Sequence, residues 1–445
     1  MYQTEILILA MILASLSGWF LHHRLKFKVT IGSRLTPLAS IIIGVGLAYL
    51  LPDYGKAIIF FSAAIAQFIS FVFVSNLRQR GSFFWHAVAA VASNGTWYAT
   101  MHLFDDARAN WIYLFPFIAG VAAGRTIGVL WAQYVVKRFD LKADATRDDK
   151  LAPGKRLRYI AREPTFWVLF SALIGYTLYG LIYFDVALKN GLMVIVGLSI
   201  LQNLFTSMKA RAQNRGNNNY IVAIELLGGT IFYVNAVYLF SVHLPIELSL
   251  PYILSTVLGS TLGAFFSMII ERKADIAPDR HLEKKAQVKQ SKLPYTIFAA
   301  LSATWILANE SILNYLGVNV QSLAFPLPIP GMDDLPRMVI MLIAAIIFFL
   351  DSFLHTATSR AGNRNHTGYH VSACIPKGLV DFCKMGYFAL NPRIPDIVPI
   401  AILVGCLGSL FGKDISQRIE KWLDARMDAA EGKTSALATV VIAQK

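Results

Sequence analysis

The chain has 445 residues, of which 56% are hydrophobic and 15% charged, whereas soluble domains run roughly 45–50% apolar and about 25% charged. Its net charge of +14 would suit nucleic acid, but the Lys and Arg sit in short segments between long apolar runs. That excludes a soluble basic binder and points to a polytopic membrane protein with its positive residues gathered on one side.

A bilayer core about 30 Å thick takes about 20 apolar residues per helix, and that length recurs along the chain. The first run, 5–22, has no basic segment before it; Arg24, Lys26 and Lys28 follow it. It reads as a retained helix with its N-terminus outside, not as a cleaved signal. Twelve more spans follow, at 35–51, 57–75, 84–103, 112–136, 165–184, 190–208, 219–241, 248–270, 294–314, 338–356, 369–389 and 394–412. The runs are too long for strands and lack period-two alternation. The expected fold is therefore an all-α bundle of thirteen spans.

The segments on one side of these spans hold 33 of the 41 Lys and Arg. The other side holds Lys56, Arg108, Lys189, Arg337 and Arg393, and Arg125, Lys377 and Lys384 fall inside spans. This asymmetry puts the C-terminus in the cytoplasm. The charged linkers act as topology signals, with the bilayer and its anionic headgroups as expected partners. Neither nucleic acid nor a cofactor is expected. Cys374, Cys383 and Cys406 lie in apolar runs, at a spacing that suits neither a metal site nor a disulfide framework.

A long internal repeat is visible. Arg211-Ala-Gln-Asn-Arg215 recurs as Arg360-Ala-Gly-Asn-Arg364, and the same offset of 149 carries Gly259 to Gly408, Gly263 to Gly412, Glu271 to Glu420 and Asp275 to Asp424. An offset of 135 carries Gln67 to Gln202, Gly124 to Gly259, Gly128 to Gly263 and Asp140 to Asp275. The expected organisation is an N-terminal helix and basic loop (1–34), repeat 1 (35–141), a linker (142–164), repeat 2 (165–275), a linker (276–293), repeat 3 (294–425) and a tail (426–445). Four spans per unit return the chain to the same side, so the units are parallel. The fourth helix carries Gly-x-x-x-Gly in every unit, a spacing that lets another helix backbone come close. The basic turn after each second helix reads as a hairpin link anchored at the headgroups.

Polar groups in hydrocarbon are expensive and make site candidates. Gln67, Gln202 and Asp351 share one repeat position, suited to a ring about a central axis. Ser93, Gly228 and Lys377 share another, and Thr100, Asn235 and Lys384 a third. Lys377, Asp381 and Lys384 share one helix face, with Asp351 and His355 one turn apart on the preceding helix. Arg125 and Glu225 complete the candidates. His86 and His370, at equivalent helix starts, are expected at the membrane interface.

Ser75-Asn-Leu-Arg-Gln-Arg-Gly81, with His86 and Ser93-Asn-Gly-Thr-Trp97 behind it, resembles uncharacterised membrane proteins encoded by tailed bacteriophages. The resemblance implies a phage origin and a bacterial host inner membrane, and transfers no site residue. No nucleotide loop or hydrolase motif appears, so no enzyme is expected. Two functions fit. One is a pore or carrier for a small solute or ion through a pseudo-threefold bundle. The other is a phage-type protein that modifies the host envelope or docks a partner.

With single cysteines on a cysteine-free background, position 330 should react with an impermeant reagent from outside, and position 285 only after permeabilisation. The reverse pattern overturns the topology.

Overall fold

The computed structural model describes residues 31–77, 83–106, 111–141, 163–215, 217–241, 245–276, 292–317, 336–363, 367–390 and 397–430. Among them all regular structure is helical: α1 (Ile31–Tyr49), α2 (Tyr54–Leu77), α3 (Phe83–Asp106), α4 (Leu114–Arg138), α5 (Pro164–Tyr183), α6 (Val186–Ala212), α7 (Asn218–Ser241), α8 (Ser249–Lys273), α9 (Leu293–Tyr315), α10 (Arg337–Asn363), α11 (Thr367–Leu390) and α12 (Ile397–Ala430). Each predicted span from 35–51 onward falls on one of these helices. The span 5–22, nearly all of both linkers and the tail beyond residue 430 lie outside the described residues.

Nine of the described helices are long and apolar enough to cross a membrane, as in an integral membrane protein. α1, α3 and α11 fall short. α1 has only a short apolar stretch, Ser40–Tyr49. α3 carries Ser93-Asn94-Gly95-Thr96, and α11 carries Lys377, Asp381 and Lys384. These two helices hold polar side chains that face protein instead of lipid.

Local chemistry sets several helix ends. Pro164 and Pro294 stand in the first turns of α5 and α9, where a missing N–H costs no intrahelical bond. Asp185 caps α6 by accepting from Leu188 N at 2.8 Å. α4 and α8 stop at Asp140 and Asp275, whose φ values of 46° and 49° are left-handed. Leu141 N to Val136 O (3.0 Å) and Ile276 N to Glu271 O (2.7 Å) complete the same closing turn at both ends. At the matching Asp424 the chain stays helical, and α12 runs well past the predicted span end at 412. No Gly or Pro stands between Lys413 and Ala430 to stop it.

Taken in fours, the helices pack alike. Within α1–α4, α5–α8 and α9–α12, the second helix lies against the fourth, and the first lies on the outside of the fourth. α5 and α9 leave large apolar side chains such as Trp167, Ile182 and Leu307 uncovered, as lipid-facing helices do. Between quartets the third helix of one meets the fourth of the next: α3 on α8, α7 on α12, and α11 back on α4. The three quartets thereby close into a ring.

The contact between second and fourth helices is backbone on backbone. A Cβ at Gly124 would sit 2.5 Å from Ile65 O, and one at Gly412 2.7 Å from Phe353 O. At Gly259, Gly263 and Gly408 it would overlap the carbonyls of Ile200, Leu204 and Phe349 more severely. Ile65, Ile200 and Phe349 are related by the sequence offsets of 135 and 149.

Gly263→Ala should lower thermal stability in detergent by about 1–3 kcal/mol, the usual cost of overpacking. Gly175→Ala, where a Cβ meets open space, should be neutral or stabilising. Equal behaviour of the two would contradict the close-contact account.

Candidate functional site

Each second helix is clamped by glycines on one face, which sets the rotation of its opposite face. Ile65 and Ile69 lie against α4, so Gln67 and Phe71 turn toward the centre of the ring, about half a helical turn away. In α6 the inward residues are Gln202, Asn203 and Thr206, and in α10 they are Asp351, Ser352 and His355. The third helices add Ser93, Asn94 and Trp97, then Glu225 and Phe232, then Lys377, Asp381 and Lys384. Together with Arg125 they line one cavity of about 170 Å³.

Most of the charge in this cavity is paired. Lys377 Nζ donates to Asp351 Oδ1 at 2.7 Å and, closer still, to Asp381. Lys384 Nζ donates to both Asp351 oxygens at 3.0 Å and lies 3.6 Å from Asp381. These four charges form one cluster between α10 and α11, and Lys384 also lies 5.3 Å from the Phe232 ring centre. Pro376, inside α11, withholds a backbone N–H one residue before Lys377. Asn235 donates to Gln202 and stands behind the cavity lining.

Glu225 has a partner that sequence reading placed elsewhere. The span ending at 208 put Lys209 in the basic turn, outside the membrane. α6 instead continues to Ala212 and brings Lys209 Nζ onto Glu225 Oε1 at 2.5 Å. Ser409 Oγ donates to the other Glu225 oxygen at 3.0 Å. The signal available was positional: Lys209 and Glu225 stand within two turns of the same hairpin bend, on either side of it.

Two further expectations are corrected. The side chains of His86 and His370, expected at the membrane interface, face neighbouring helices and not the outside of the protein. Both are buried: His86 Nε2 shares a 2.9 Å hydrogen bond with Ser260 Oγ, and His370 Nδ1 lies 3.0 Å from Thr358 O. Both helix starts are covered because third helices pack on neighbouring fourth helices. The described arginines of the basic turns also point inward. Arg211 is fully buried on Glu271, at 3.2 and 2.9 Å, and Arg360 on Glu420, at 3.1 and 2.8 Å. Two-pronged pairs hold guanidinium and carboxylate rigidly. Arg360 also donates to Gln213 O at 2.8 Å, joining two quartets.

Arg125 differs from the other cations that line the cavity. It is 1% exposed. Its guanidinium carbon lies 4.6 Å from the Phe68 ring centre and 5.5 Å from that of Phe71. Nε and Nη1 have no hydrogen-bond partner among the described residues. Among those residues no group of three or more His, Cys, Asp or Glu could hold a metal ion. The chain matches no family model, no curated protein and no solved structure.

Asp351→Leu should cost about 3–5 kcal/mol, because it leaves a buried lysine charge uncompensated. Asp351→Leu with Lys377→Met removes one charge of each sign and should fold closer to wild type. Thermal melting in detergent checks this; equal losses for the single and double variants would refute the charge-balance account.

Proposed function

We propose that the protein is a carrier for a small polar solute, with its binding site on the axis of a ring of three parallel four-helix repeats. On this reading thirteen helices cross a bacterial inner membrane, with the N-terminus outside and the C-terminus in the cytoplasm. The observation that carries the proposal is the polar cavity itself. All three quartets supply its walls from matching repeat positions, and ionisable side chains inside a membrane bundle are functional-site candidates by default.

The ends of the cavity differ, which favours a carrier over an open pore. α3 and α11 lead away from the basic turns into buried aromatic packing. Phe104, Phe117 and Phe382 meet with ring centres 5.2–5.6 Å apart. Tyr98 reaches Tyr252 at 5.0 Å, and Tyr233 reaches Phe348 at 5.5 Å. This aromatic layer draws on all three quartets and stops the path at that end. At the other end, near the basic turns, Lys209 keeps 19% of its side-chain surface accessible. A site reachable from one end and sealed at the other is one half of an alternating-access cycle.

The test is flux in reconstituted vesicles, screened with small polar solutes and ions. Wild type should admit at least one of them above protein-free vesicles, and Asp351→Leu with Lys377→Met should fold but lose that flux at least tenfold. Wild-type vesicles no leakier than lipid alone to the whole panel would overturn the carrier reading.

A further inference from the structure

The charges around the cavity do not sum to zero. Among its described lining residues are four cations, Arg125, Lys209, Lys377 and Lys384, against three carboxylates, Glu225, Asp351 and Asp381. Glu225 is matched by Lys209, and the two aspartates are matched by Lys377 and Lys384. One positive charge is left over, and the geometry identifies it as Arg125.

Its surroundings sharpen the point. The contact between Arg125 on α4 and Cys374 on α11 has a counterpart, related by the sequence offsets, in the contact between Ser409 on α12 and Glu225 on α7. In that second joint a carboxylate faces a neutral hydroxyl and finds its cation in Lys209. In the first a guanidinium faces a neutral thiol, and no carboxylate among the described residues answers it. Phe68 and Phe71 offer ring faces, which ease desolvation but accept no strong N–H hydrogen bond. The matching positions in the other quartets are Asn203 and Thr206, and Ser352 and His355, so the aromatic pair accompanies the arginine alone. A buried, permanently charged group with unpartnered donors is among the costliest arrangements a protein can hold.

From this we infer that the cavity binds a small monovalent oxyanion, with Arg125 as its counter-charge. The inference rests on the carrier reading only for the purpose of the site; the binding itself stands apart from transport. A second observation narrows the class. Gln67 Oε1, in the same cavity, also has no hydrogen-bond partner among the described residues. An occupant that bears a hydrogen-bond donor beside its charge satisfies both groups. Size narrows it again, because a cavity of about 150 Å³ holds a molecule as large as benzene. The volume here, about 170 Å³, suits a compact hydroxy-substituted carboxylate and is too small for a lipid headgroup with its glycerol.

The experiment measures binding to the full-length protein in nanodiscs by calorimetry, with lactate as the probe and glycerol and chloride as comparisons. Lactate should bind more tightly than either. Arg125→Gln should weaken lactate at least about tenfold, the equivalent of one lost charged hydrogen bond, while Arg125→Lys, which keeps the charge, should retain most of the affinity. Thermal melting of each variant shows whether it is folded. Glycerol binding as well as lactate, or lactate affinity unchanged in a folded Arg125→Gln, overturns the anion site and leaves the carrier reading standing. Lactate binding that depends on Arg125 in a protein without flux for any solute supports the anion site and overturns the carrier reading. No lactate binding to wild type overturns the site outright.

Discussion

The backbone contact between the second and fourth helix of each quartet is the constraint on which the rest depends. Gly124, Gly259 and Gly408 admit the carbonyls of Ile65, Ile200 and Phe349 at distances no side chain would allow. A helix held that closely along one face cannot rotate, so its far face is set as well. Gln67, Gln202 and Asp351, two residues on from those carbonyls, must then look toward the axis. The polar centre of the molecule is thus a consequence of glycines on another helix. Lipid offers little drive for apolar helices to associate, and close backbone packing of this kind is what membrane bundles rely on instead.

Around that frame the energetics are those of charge in a medium of low dielectric. The Asp351–Lys377–Asp381–Lys384 cluster, the Lys209–Glu225 pair and the Arg211–Glu271 and Arg360–Glu420 pairs are each balanced in sign, or nearly so, and richly hydrogen-bonded. Balanced clusters recover in mutual attraction much of what desolvation takes away. The pairs near the basic turns lie between a second and a fourth helix and lock their ends, where glycines no longer hold them. Those in the cavity line open space. Arg125 belongs to neither group, and its isolation is therefore informative.

Much of this was legible in the sequence, because it is local or periodic. Apolar run length placed twelve of the described helices, and the offsets of 135 and 149 matched the glycine helices to one another before any contact was known. Asp351, Lys377, Asp381 and Lys384 could be put on facing helices by spacing alone, and the structure brings them together. Gln67, Gln202, Arg125 and Glu225 stood out because polar groups are rare in such runs. Helix ends were less legible: hydropathy fades at Lys209 and after Gly412, but backbone hydrogen bonding carries α6 and α12 on.

What only the tertiary structure decided is which helices become neighbours. Periodicity fixes the face a helix buries, not the partner that covers it, and three similar quartets offer each third helix several fourth helices to meet. The ring order, α3 on α8, α7 on α12 and α11 on α4, is a non-local choice. His86 and His370 are buried by it, Glu225 receives Ser409 through it, and Arg125 is set opposite a thiol because of it. The sequence determined that these charges exist and which apolar run each one interrupts or borders. Whether a charge found an opposite across a joint between quartets depended on contacts over a hundred residues apart, which no local pattern encodes.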